Sequence, residues 1–146
     1  MVSEDVDLEG ARLLAAVARL NRWATRHAEL RIPPAQGRLL SLIDQIGPAR
    51  IGALAHADHC SQPTMTTQVQ RLEAAGWATR SADDSDARVA LIQLTDEGRE
   101  QLERLRAARA AALAPELARL SAEERAALRS ATEIILRVVH PDDRDQ

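Results

Sequence analysis

The chain has 146 residues, 45% of them apolar and 28% charged, with a formal net charge of −3. These values fit one soluble domain; the single Cys excludes an intrachain disulfide framework, and no run approaches the roughly 18 apolar residues of a membrane helix. Phe, Tyr and Lys are absent, so the core must be aliphatic and all 19 Lys-or-Arg positions are Arg. The acidic start Met-Val-Ser-Glu-Asp-Val-Asp is unlike a basic export signal, which makes the expected location cytoplasmic, with no membrane partner.

Residues 4–30 read as a first helix. Leu13, Val17, Leu20, Ala24 and Ala28 fall on one stripe, with Leu14 and Trp23 beside it. Ile32-Pro33-Pro34 ends it, because the residue before Pro avoids the helical region. Pro34 opens a second helix at its first position, where no donor is lost. That helix runs to about Ile46, with Leu39, Leu42, Ile43 and Ile46 inward, and Gly47-Pro48 stops it. Residues 50–57 form a short helix with Ile51, Leu54 and Ala55 inward, and Asp58-His59-Cys60 is the turn that follows.

The next helix is the most informative. Ser61 is a favoured N-cap, Pro63 sits in the first turn, and Gly76 is a favoured C′ residue. Met65, Val69 and Leu72 recur at helical spacing and face inward. Thr64, Thr67, Gln68 and Arg71 then point outward, and these side chains suit base edges and phosphates. Residues 77–82 and 89–94 read as two strands joined by the 83–88 tip. Thr95 caps a long helix with Asp96 and Glu97 at the positive end of its dipole. It carries Leu102, Leu105, Ala108, Ala112 and Leu113, and Pro115 is expected to bend or break it. Ser121-Ala-Glu-Glu124 matches a capping box and starts the last helix. Leu128, Ala131, Ile135 and Val138 line its apolar side, His140-Pro141 ends it, and 141–146 reads as a frayed polar tail.

The expected fold is therefore mainly α with a small β-hairpin wing, in a single domain over 1–146. A winged helix-turn-helix lobe spans 34–95, and residues 1–31 and 96–140 supply dimerisation helices. Their apolar stripes exceed what one small core needs, and a two-fold homodimer would cover them. Such a dimer sets two recognition helices on one face of DNA, with half-sites about one helical turn apart. A basic surface patch usually accompanies DNA binding, and the whole-chain charge does not show one. Many acids lie away from the candidate face, in 1–9, 116–124 and 142–146, although the wing itself carries Asp83, Asp84 and Asp86.

The chain resembles the MarR family of transcriptional regulators over roughly its whole length. Leu54-Ala55, Ser61-Gln-Pro-Thr-Met-Thr, Arg71-Leu-Glu-Ala-Ala-Gly76, Arg80, Asp86-Ala-Arg88 and Leu94-Thr95-Asp-Glu-Gly98 carry the resemblance, in order and at suitable spacing. It implies a homodimer on a palindromic operator in double-stranded DNA, usually a repressor released by a small anionic or phenolic ligand. It assigns the major groove to the helix bearing Ser61, Gln62, Pro63, Thr64, Thr66, Thr67, Gln68 and Arg71. Arg80 joins that DNA-binding set. Asp86 is expected to orient Arg88 toward the minor groove or its phosphates, where narrow A·T-rich DNA concentrates negative potential. Two positions depart from the family pattern: Ala87 stands where the wing often has Arg, and Thr67 where the recognition helix often has Arg.

Other residues admit rival readings. Cys60 lies just before a helix N-terminus, a setting for a redox switch; the favoured role is to plug the turn between two helices. His56, His59 and Cys60 cluster in sequence, but a structural zinc needs four ligands and no second Cys exists, so neither metal nor cofactor is expected. Trp77 is expected to anchor the first strand. Trp23 belongs either to the dimer core or to the wall of an effector pocket, with Arg19, Arg22 or Arg26 as the anion's partner. No Gly-rich phosphate loop, nucleophile elbow or metal triad suggests an enzyme. A winged helix used for protein–protein assembly, without a DNA function, is the alternative from another class.

Overall fold

The computed structural model describes residues 4–140; the expected polar tail 141–146 lies outside them. Six helices and one hairpin follow in the order α1 (Glu4–His27), α2 (Pro34–Ile46), α3 (Ile51–Ala57), α4 (Gln62–Ala74), β1 (Ala78–Ala82), β2 (Ala90–Leu94), α5 (Asp96–Arg119) and α6 (Ala122–Val139). The fold is thus mainly α with a two-stranded antiparallel sheet, as the pattern of apolar spacing and turn residues predicts. Its strands pair Ala78 with Leu94 and Ala82 with Ala90.

Local chemistry explains most boundaries. The Ser61 hydroxyl accepts from the Thr64 amide at 3.3 Å and caps α4. Gly76, at φ 79°, ends α4: its amide donates to the Glu73 carbonyl and the Trp77 amide to the Leu72 carbonyl, both at 2.9 Å. This pair of bonds satisfies carbonyls that the last turn would otherwise orphan. At the start of α6 the Ser121 amide donates to Glu124 at 2.8 Å and the Glu124 amide to the Ser121 hydroxyl at 3.1 Å, completing the capping box.

Two expectations about the helices need correction. The first helix stops at His27, not at residue 30. His27 Nδ1 engages the Trp23 carbonyl at 2.8 Å, and the Leu30 amide turns back to Ala28 at 3.0 Å. Of the bend or break expected at Pro115, the break does not occur: α5 continues to Arg119. The ring deletes a single backbone bond, and the alanine-rich sequence around it is a strong helix former.

The core lies between α2, α3, α4, the hairpin and the first half of α5. Leu39, Leu40, Ile43, Leu54, Met65, Val69, Leu72, Ile92 and Leu102 are all at most 2% exposed. Leu40, absent from the expected inward set of α2, is among them, whereas Ile46 is exposed. The reason is tertiary: α2 packs against α3, α4, α5 and β2, so its buried surface is wider than one amphipathic stripe. Away from this core the picture inverts. Helix α6 has no buried residue, and α1, which lies along α5, leaves Leu13, Leu14, Val17 and Leu20 exposed.

Candidate nucleic-acid interface

Helix α4 is anchored from below by Met65, Val69 and Leu72, each fully buried. Ser61, Gln62, Pro63, Thr64, Thr67 and Arg71 are exposed, and Thr66 is half-buried. Among the described residues Arg71 has no ion-pair partner, so its guanidinium is available to an external acceptor. The Thr67 hydroxyl donates to the Pro63 carbonyl at 3.1 Å. Its proton is therefore used within the helix, and what it offers outward is a methyl group and an acceptor oxygen, a surface suited to a thymine methyl. The Ser61 hydroxyl donates to the Thr64 hydroxyl at 2.8 Å, which leaves the Thr64 proton for an outside acceptor.

Gln68 departs from the outward position its spacing suggests. It is half-buried, and its Oε1 is buried without a hydrogen-bond partner among the described residues. Position 68 sits at the edge of the helix's inner stripe, one residue before fully buried Val69, so a long side chain there tucks inward. Arg80 is likewise engaged inside the chain. Its Nε and Nη2 donate to the two Glu73 carboxylate oxygens at 2.7 and 3.2 Å, binding the base of the hairpin to the end of α4. Glu73 lies within the family motif, but its pairing with Arg80 has no sequence signal beyond an acid seven residues before a strand Arg.

At the wing tip, Asp86 accepts from Arg88 three times: from its amide at 3.0 Å, its Nε at 3.1 Å and its Nη2 at 3.2 Å. These bonds hold the Asp86 carboxyl below its ordinary range, the Arg88 side chain contributing most. Arg88 remains 90% exposed. Such a forked pair fixes the guanidinium's direction without hiding it, so the tip presents one preset cation.

Away from this face, Arg19, Arg22, Trp23 and Arg26 line a shallow groove of about 800 Å³ on α1, together with Glu116. Trp23 is half-buried and stacks on His27 with ring centroids 4.3 Å apart. Arg22 and Arg26 also border a cleft of about 540 Å³ between α1, α2 and α5, where Arg109 and an Arg38 already paired with Asp58 join them and no carboxylate lines the wall among the described residues. Cys60 is half-buried and packs against the core. No group of three or more His, Cys, Asp and Glu side chains that could hold a metal occurs among the described residues.

The sequence model of the MarR family matches residues 32–90. An uncharacterised HTH-type transcriptional regulator of Mycobacterium bovis, Mb0904, is 31% identical over 140 residues, covering 95% of this chain and 97% of that protein. The crystal structure of transcriptional regulator Tm0710 from Thermotoga maritima is 26% identical and superimposes with a TM-score of 0.72 over 95% of this chain and 99% of its own. A MarR family protein from Bacillus stearothermophilus is also 26% identical, with a TM-score of 0.69 over 97% and 98% of the two chains.

Proposed function

The chain belongs to the MarR family of helix-turn-helix transcriptional regulators, and from that premise we propose that it acts in the cytoplasm as a homodimeric, ligand-released repressor of a palindromic operator. The observation that carries the reading is the pairing of an exposed Thr64–Thr67–Arg71 face on α4 with a wing cation preset by Asp86. One element suits base edges and the other suits the backbone or minor groove. The unpartnered apolar sides of α1 and α6 support a two-fold dimer. The carboxylate-free cleft and the neighbouring Trp23 groove support an anionic or phenolic effector held by Arg19, Arg22 or Arg26.

A duplex selected from a random-sequence library by the wild-type protein, then titrated across salt, tests the reading. Failure to enrich any sequence would favour the protein-assembly alternative. Arg71→Ala is expected to weaken binding by about 1–3 kcal/mol and to relax preference at one base position per half-site. Equal affinity and an unchanged preference would remove Arg71 from base readout. Arg88→Ala is expected to weaken binding on all sequences alike and to lower the salt slope by about one phosphate contact per half-site. An undiminished slope would place Arg88 away from the phosphates.

A further inference from the structure

Arg50 occupies the N-cap of α3 and caps nothing: no side-chain bond closes the first turn there. Ser, Thr, Asp or Asn is the favoured residue at such a position. The Arg50 side chain instead leaves the helix and its Nη2 donates to Asp83 Oδ2, across 33 residues, at 2.9 Å. Asp83 is the first residue beyond β1, at the entrance to the wing tip. Its other oxygen is occupied by the Ser85 amide at 2.9 Å and the Ser85 hydroxyl at 2.7 Å. The Ser85 amide and hydroxyl, and then Arg50, hold the Asp83 carboxyl down to about 2, so it stays ionised near neutrality.

The surroundings give this pair leverage. A lone two-stranded hairpin is marginally stable and needs a brace to keep its tip in place. One brace is backbone: Ala49 and Ile92 exchange bonds of 3.0 and 2.7 Å, tying the α2–α3 connection to the middle of β2. Arg50 is the next residue, and it reaches further along the hairpin to the base of the tip that carries Asp86 and Arg88. We propose that Arg50 and Asp83 are a positioning pair that sets the wing tip against the helix-turn-helix, so that Arg88 and α4 meet one duplex together. The inference rests on the DNA-binding reading for its consequence, but the clamp itself is a property of the free protein. With the Arg50 side chain 55% exposed, the ion pair contributes little to global stability; its effect is on geometry.

The test is a double-mutant cycle of Arg50→Ala, Asp83→Asn and the double variant, measured on the library-selected duplex. Asparagine keeps the acceptor for Ser85 and removes only the charge partner of Arg50. Each single variant is expected to bind about tenfold more weakly, the double variant no more weakly than either single, and Arg50→Lys to recover part of the loss. Melting temperatures should stay near the wild-type value. The sign for Asp83→Asn is decisive. Removing a negative charge beside DNA should tighten binding by electrostatics alone, so unchanged or tighter binding overturns the proposal and leaves Arg50 as a phosphate contact. Additive losses overturn it as well. If the wild type selects no duplex, the DNA reading fails separately, and amide exchange in the free protein still decides the clamp. Arg50→Ala should then speed exchange several-fold at the Asp83 and Val89 amides, which bond within the wing at 3.0 and 2.9 Å, while α4 is unchanged. Unaltered exchange at those amides overturns it.

Discussion

Gly98→Ala is expected to cost about 3 kcal/mol and to lower the melting temperature by roughly 10 °C. The cause is a backbone crossing, since Gly98 lies in the first turn of α5 and a methyl there would overlap the Trp77 carbonyl. Neither chain can step aside. The Trp77 carbonyl accepts the Thr95 amide at 3.0 Å, the Thr95 hydroxyl donates to the Gly76 carbonyl at 2.6 Å, and the same hydroxyl accepts the Gly98 amide at 3.0 Å. The end of α4, the start of β1 and the start of α5 are therefore knotted at one point, and separating them breaks caps as well as contacts. Because this junction aims α4 relative to the long helix, Gly98→Ala should also weaken DNA binding in whatever fraction remains folded. A thermal melt coincident with wild type would show that the crossing has slack.

The second large effect is expected from Ile134→Asp on α6. We expect a monomer with native helix content and an affinity for the selected duplex at least about 100-fold weaker, because the second half-site is no longer engaged from the same particle. The argument starts from exposure. Ile134 is 51% exposed in the single chain, in company with Leu128, Leu136, Val138 and Val139 on α6 and with Leu13, Leu14, Val17 and Leu20 on α1. An isolated helix of 18 residues with none buried has little to hold it in water, since most helical stability in proteins comes from packing an amphipathic face. Covering those side chains in a dimer contributes about 1.5–3 kcal/mol for each one fully buried. A charge in that surface leaves the protomer's own core untouched and penalises only association. Sedimentation that still shows a dimer at low micromolar concentration would move the interface elsewhere.

Much of this molecule was legible as a linear pattern. Ser61, Thr95 and Ser121 mark three helix starts, Gly76 marks the end of α4, and Met65-Val69-Leu72 tell its inner face from its outer one. These signals are local: a cap bond spans three residues and an amphipathic stripe repeats every three or four, so no distant contact is needed to read them. The order of motifs from Leu54 to Gly98 carried the family resemblance for the same reason.

What lay beyond reach was set by how separate elements pack on one another. Arg80, though exposed, is forked onto Glu73, Gln68 tucks its amide oxygen inside, and Leu40 is core while Ile46 is not. The Arg50–Asp83 brace joins residues that no periodicity links. The amino-acid sequence by itself determined the order of the elements, the caps that open α4, α5 and α6, and the inner face of α4, because those follow from backbone hydrogen bonding and short-range spacing. Only the tertiary structure decided the pairings between separate elements, such as Arg50 with Asp83 and Arg80 with Glu73, because those depend on where the elements finally come to lie.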